Sequence, residues 1–435
     1  MRSDELRDAG ALTSTALTEI TELARDVHRA CANRLFGLAG KPGKSIQLLH
    51  DGIAAIAYES TRLGVKVLPR AAGLAASVNA DPAAASAHDE PRGRFVLGAI
   101  SGFWGDRIAE QQAALAPQMR LRLHGGPLRR IPANLVDDAA GTATGRLVIF
   151  LHGLCETDLC WSFSAEKCWG DRTCTYGSML RDDDGWTPIY ANVNTGVHVS
   201  ANGAELADQL EQLVARWPVP VTDIALVGHS LGGLVARSAA HRGDELGHEW
   251  RRVLKHIVGL GTPHLGAPLE RFANWGTHRL ARLPETQPFA KWLNQRSVGI
   301  KDLRYGALLE ADWLDHDLDD LLTDHCTEAT LLPGVVYSQV SATLSREPAG
   351  IFAHDLLVQH GSAHGIGKPR SIPFDPDRSF HIGGRKHHFD LLADRAVYDQ
   401  LRFWLAGGDR IEAPAPESRR WAKRREARRA AKRPA

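Results

Sequence analysis

From Leu147 onward, short uninterrupted apolar runs alternate with helix-patterned segments, and this alternation leaves the chain few folds. The runs are LVIFL at 147–151, IYANV at 189–193, IALVG at 224–228, HIVGL at 256–260, VVYSQV at 335–340 and SFHI at 379–382. A strand covered on one face alternates apolar with polar residues. A run such as LVIFL, apolar at every position, is expected where both faces are covered. Helical patterns fill the spaces between, notably at 203–217 and 231–241. The expected class is α/β, with a mostly parallel central sheet flanked by helices.

The chain around this body divides by composition. Residues 1–90 are expected to form an N-terminal helical region and linker. Leu17, Ile20, Leu23 and Val27 recur at helical spacing within 12–36, and Leu49, Ile53, Ile56 and Ala57 share a face within 46–78. The glycines and proline of 40–44 break the pattern between the two, and 79–91 reads as a flexible linker. The body spans 94–408. Within it, 265–333 is too long for a simple connection and is expected to be a helical lid. Its apolar residues Phe272, Trp275, Leu280, Leu283, Phe289, Trp292 and Leu293 would form the lid's own small core or line an acyl pocket, the first being favoured.

Residues 409–435 form a tail with nine basic and two acidic residues in its last nineteen, expected to be disordered. Lys and Arg number 52 against 51 Asp and Glu, so no specific nucleic-acid partner is expected. The acidic start lacks the pattern of a secretion signal, and a cytoplasmic location is expected. The N-terminal helices and the basic tail are compatible with weak contact at a membrane surface. Cys155, Cys160, Cys168 and Cys174 lack zinc-site spacing and are expected to be free thiols of a surface loop, with disulfides as the alternative.

The chemistry concentrates at five places. Gly228-His229-Ser230-Leu231-Gly232 fits the G-x-S-x-G elbow, with an apolar run before it and a helical segment after it. Such a turn exposes the serine hydroxyl beside helix N-terminal amides. This makes Ser230 the candidate nucleophile of an α/β-hydrolase fold. Upstream, His152-Gly153-Leu154 ends the first run, and the Leu154 and Leu231 amides are the candidate oxyanion hole. Losing one such donor typically costs about 3–4 kcal/mol. A serine hydroxyl also needs a histidine to take its proton and a carboxylate to orient that histidine, in the chain order Ser, acid, His. Asp355 is the best-placed acid. Asp317, Asp320 and Asp324 are rivals within the expected lid. His388, directly before a helix start, is the chosen base, with His387 as the alternative. His360, His364 and His381 read as loop or surface histidines, His364 being close enough in sequence to lie near the site. His264 is a candidate substrate contact.

These segments resemble the bacterial lipase-like α/β-hydrolases related to the GPI inositol-deacylase family. The likeness rests on FLHGL (150–154), GHSLGGLVARSA (228–239), GTPHLGAP (261–268), DLLVQHGSA (355–363) and HFDLL (388–392). His354 stands where similar hydrolases carry glycine, and the stretch from Cys155 to Cys174 is longer than usual. The resemblance implies ester hydrolysis without a cofactor, on a small-molecule or lipid ester. An acyltransferase with the same three residues, and a non-catalytic binding module on a hydrolase scaffold, are the alternative readings.

Overall fold

In the computed structural model, which describes residues 1–81, 83–130, 132–346 and 354–408, seven strands form one sheet. They are β1 Arg120–Leu123, β2 Arg146–Leu151, β3 Thr187–Asn192, β4 Asp223–His229, β5 Leu254–Leu260, β6 Val336–Ala342 and β7 Ser379–Ile382. The order is β1-β3-β2-β4-β5-β6-β7, parallel throughout except for β1, which runs antiparallel to β3. All six expected strands are present. The basic tail from 409 lies outside the described residues.

Period-two alternation explains why LVIFL is apolar throughout. Leu147, Ile149 and Leu151 enter one core layer with Ile189, Leu226 and the helices Val199–Arg216 and Leu231–Glu245. Val148 and Phe150 enter the opposite layer with Tyr190, Val227, Val258 and the helix Arg395–Leu405. Each fully buried side chain of this kind contributes roughly 1.5–3 kcal/mol. Register aligns the strand ends: Leu151 with Gly228, Gly228 with Gly259, and Gly259 with Gln339. The loops after β2, β4, β5 and β6 therefore leave from one edge, where open α/β sheets bind ligands.

The chain divides into two compact units. One comprises Met1–Pro117, Leu269–Lys301 and Asp317–Asp324; the sheet-bearing unit comprises Gln118–Pro268, Asp302–His316 and the residues from His325 on. The stretch expected to be one lid is thus split. Leu303, Leu308, Ala329 and Leu332 sit in the core of the sheet.

In the helical unit, helix is assigned from Ser3 to Val78, yet its two halves lie side by side. The Ser14 hydroxyl donates to the Lys66 carbonyl (2.9 Å), Arg25 meets Glu59 (3.7 Å), and the His28 ring lies 5.0 Å from that of His50. Each pair is centred on or near 40–44, so the chain reverses where glycine and proline interrupt the helical pattern. The helix Pro91–Gln111 adds a small core of Ala87, Leu97, Ile108 and Leu115, against Ala9 and Leu12. The insertion joins the same unit through polar contacts: Glu285 pairs with Arg34 (2.7 Å), the Ser297 amide donates to the Phe103 carbonyl (2.8 Å), and the Val298 amide to Asp106 (3.0 Å). Its aromatic and aliphatic residues do not form the expected lid core. Phe272, Trp275, Leu283, Phe289, Trp292 and Leu293 are all exposed.

The segment 79–91 departs from a flexible linker. Ser86, Ala87 and His88 are buried, and the buried Glu5 carboxylate accepts the Ala87 amide (3.0 Å) and the Ser86 hydroxyl. Burial opposes the charge on Glu5, but these hydrogen bonds outweigh it and hold the carboxyl below its ordinary range. Among the described residues, no helix is long and apolar enough to cross a membrane.

Glu5→Ala is expected to release this anchor. The helical unit should lose about 1.5–3 kcal/mol in chemical denaturation, and limited proteolysis should then cut within 79–91. Unchanged resistance to the protease would contradict the anchoring role.

Candidate active site

Ser230 joins β4 to the helix Leu231–Glu245 at φ 53° and ψ −124°, a conformation that costs a non-glycine residue about 1–3 kcal/mol. The strain is held by its surroundings. The Ser230 amide donates to the Leu260 carbonyl (2.9 Å) at the end of β5. Two residues on, a Cβ at Gly232 would lie 2.4 Å from the Leu151 carbonyl oxygen, so the helix begins hard against the end of β2. The Leu231 amide lies in the first helical turn and has no acceptor within its helix. Leu154 lies in the loop that leaves β2. The close approach at Gly232 brings that loop and the helix start together.

His388 is buried, and its Nδ1 lies 2.6 Å from Asp355 Oδ2. Its amide also donates to the Asp355 carbonyl (3.0 Å). The other carboxylate oxygen of Asp355 accepts the amides of Leu357 (3.0 Å) and Val358 (2.7 Å). Burial alone would raise the Asp355 pKa, but His388 and these amides bring it below the ordinary carboxylate value. The acid is therefore fixed, ionised, and bonded to one ring nitrogen. The other, Nε2, is buried and has no hydrogen-bond partner among the described residues.

Two contacts bring the ring of His388 to the elbow. The ring of His229, the residue before Ser230, has its centroid 4.6 Å from that of His388. Gly261, next to the carbonyl that holds Ser230, leaves room for the same ring, since a Cβ there would lie 3.0 Å from His388 Cε1 and Nδ1. His387, the alternative base, is exposed and faces Asp390 (3.4 Å). The rival acids Asp317, Asp320 and Asp324 belong to the helical unit.

One pair at this edge escaped sequence reasoning. Glu156 is buried; its Oε2 accepts the Gly153 amide (2.6 Å) and lies 2.9 Å from His229 Nδ1. His229 Nε2 in turn donates to the His388 carbonyl (3.2 Å). Burial opposes both charges, yet each offsets the cost to the other. Glu156 is pulled down to about 2, and His229 is raised above the ordinary histidine value. This ion pair ties the loop after β2, the elbow and the His388 segment together. Its only sequence signal is a glutamate three residues after Gly153. His152, beside it, is structural: Nε2 accepts the Val193 amide (3.0 Å), leaving Nδ1 protonated toward the Gly153 carbonyl (3.0 Å).

Other candidates take different places. His264 bonds Gln339 (2.7 Å) and faces Arg237 (3.4 Å); burial, reinforced by Arg237, keeps it neutral inside the sheet-bearing unit. His364 is buried rather than superficial, and burial lowers it to about 3. It shares the Ser341 hydroxyl with His360, at 2.9 and 2.8 Å, while His381 reaches Thr343 (2.8 Å). Among the described residues the cysteines form no disulfide, but Cys160 and Cys174 are core residues, so this stretch is not wholly a surface loop. No group of three or more candidate metal ligands occurs among the described residues.

Residues 142–315 match the family model described as a PGAP1-like alpha/beta domain. No curated protein matches the chain. Among solved structures, the chain is similar to Bacillus licheniformis lipase BlEst2 in propeptide form, at 18% identity over 63% of this chain and 53% of that one, with a TM-score of 0.38. It is also similar to Aspergillus fumigatus lipase B, at 13% identity over 65% and 59% of the two chains, with a TM-score of 0.37. A third is the carboxylesterase CesB from Bacillus subtilis, at 12% identity over 60% and 84%, with a TM-score of 0.30. The chain thus spans about half the length of the propeptide-form lipase. Over 142–315 the chain is thus similar to a PGAP1-like alpha/beta domain, and the strand order and the elbow fit an α/β-hydrolase fold.

The Glu156–His229 pair gives a signed expectation. Glu156 is lowered, so its contribution is complete above about pH 4.5 and is lost as pH falls toward about 2. His229 is raised, so its contribution is complete below pH 6.5 and is lost as pH rises through its folded value. Glu156→Gln should therefore cost about 3–5 kcal/mol near pH 5.5. Urea unfolding of both proteins should show the gap narrowing below about pH 4.5; a gap that does not change with pH would contradict the pair.

Proposed function

We propose that the chain is a serine hydrolase that cleaves carboxylic esters through an acyl-enzyme on Ser230. The observation that carries this reading is the state of His388. One ring nitrogen is bonded to a buried, ionised Asp355, the other is buried with no hydrogen-bond partner among the described residues, and the ring lies against the residue before a strained elbow serine.

The chemistry follows from that arrangement. Ser230 Oγ attacks the ester carbonyl while His388 Nε2 takes its proton. The carbonyl oxygen gains a full negative charge in the tetrahedral intermediate, and the Leu154 and Leu231 amides are the donors assigned to it. Collapse of the intermediate breaks the bond to the alcohol, which leaves with the proton from His388. Water then attacks the acyl-enzyme, passing a proton to His388, and the carboxylic acid departs as Ser230 recovers its hydrogen. Asp355 holds the imidazole in the required tautomer and stabilises the imidazolium. No cofactor is needed for any step. The substrate is a small-molecule or lipid ester.

Ser230→Ala should lower the hydrolysis of p-nitrophenyl esters by about 10,000-fold or more, and Asp355→Asn by about 10,000-fold, with unfolding midpoints close to the parent. A serine-reactive phosphonate should label the parent at Ser230 and leave Ser230→Ala unlabelled. Activity retained in the alanine variant would end this reading.

A further inference from the structure

The second half of the N-terminal helix is built inside out. Tyr58, Arg62, Val65 and Gly73 turn toward the first half: the Tyr58 hydroxyl lies 3.5 Å from the Ala24 carbonyl, Arg62 lies 3.7 Å from Glu22, and Gly73 abuts Gly10. The larger aliphatic residues turn away. Leu49, Ile53, Ile56, Leu63, Val67 and Leu74 are 50–73% exposed. With Ser60 and Arg70 they follow spacings of four, three, four, three, four, three and four residues, the period of a coiled-coil seam, and Leu48 and Leu68 beside it are exposed as well.

We propose that this face pairs, antiparallel, with the same face of a second copy of the chain. Two features select that occupant. The seam is flanked by Glu59 and Lys66 on one side and by Ala57 and Gly64 on the other. In an antiparallel pair with its two-fold axis between Thr61 and Arg62, Leu49 lies opposite Leu74, Ile53 opposite the stem of Arg70, Ile56 opposite Val67, and Ser60 opposite Leu63. Each layer occurs twice. The same register sets Glu59 against Lys66 of the second copy, and the reverse, while Ala57 meets Gly64 and allows close approach. A parallel pair would instead set Arg70 against Arg70 and leave Glu59 without a cation across the seam. Glu59 is available for this contact: its own partners, Arg62 (2.9 Å) and Arg25 (3.7 Å), leave its side chain 53% exposed. A bilayer surface fits less well, because a membrane-lying helix has cations along the border of its apolar face, whereas this one carries the exposed Glu59 there.

The test is sedimentation equilibrium on the full chain over a concentration series. The parent should dimerise, and Leu63→Glu should be monomeric. Lys66→Glu should weaken the dimer by about tenfold or more, because like charges then meet twice. Glu59→Lys combined with Lys66→Glu should restore it, with circular dichroism confirming equal helix content in all variants. A spin label on Ala75→Cys, with the exposed Cys31 and Cys168 changed to serine, should report a separation of about 40 Å at 1.5 Å per residue. A parallel pair would give about 20 Å or less. The proposal fails if the parent is monomeric throughout, if the charge swap does not restore the dimer, or if the short distance is found. It also fails if a monomeric parent binds phosphatidylglycerol vesicles and Leu63→Glu abolishes that binding.

Discussion

The first turn of the helix Leu231–Glu245 lies against the last carbonyls of β2, an approach possible because position 232 carries no side chain. That single steric allowance sets the distance between the loop leaving β2 and the turn carrying Ser230. It also fixes the direction in which the first amides of the helix point. The remaining groups are then placed by backbone: the Leu260 carbonyl holds the serine amide, and the Asp355 carbonyl holds the His388 amide. Side-chain chemistry is added to a framework that strand register has already positioned. The sheet can supply that framework because both its faces are filled, leaving the strand ends little freedom to shift.

Much of this was legible in sequence, and the limits have physical causes. Long apolar runs announce strands covered on both faces, so all six were found. β1 was missed because four residues that alternate arginine and leucine look like any amphipathic fragment. It is a strand only through pairing with β3, which no local pattern records. The elbow was readable because glycine at fixed offsets reports close backbone approach. The neighbours of Asp355 and His388 were readable only through chain order and resemblance, since an aspartate–histidine contact across 33 residues leaves no periodic trace. Glu156 was invisible for the same reason. Its partner is 73 residues away, and a glutamate in a loop is normally a solvated one.

The lid was misjudged through an assumption about what an insertion packs against. Its apolar residues implied a self-contained core, yet the segment is tied to the N-terminal helices by Arg34–Glu285 and by hydrogen bonds to Asp106 and the Phe103 carbonyl. Sequence separation of almost 200 residues hides such a union. The polar character of these ties also matters: fixed by directional bonds rather than by a greasy core, the insertion and the helix Pro91–Gln111 share one geometry, while the aromatic residues remain on the surface.

β1 has a further consequence. A sheet of this kind ends in rows of unpaired amides and carbonyls that can recruit a strand from another molecule. Here the outer side of β1 is already engaged: Leu121 and Arg129 exchange both backbone hydrogen bonds, at 2.8 and 2.6 Å. Arg122 is held over the Tyr190 ring of β3 and paired with Asp158, which fastens β1 to its neighbour. At the opposite margin, β7 offers four residues. The β1 margin of the sheet is therefore closed to growth. On that side, a protein with so much parallel, two-sided apolar strand is protected from strand addition by the short arginine-bearing strand whose residues look least like a strand at all.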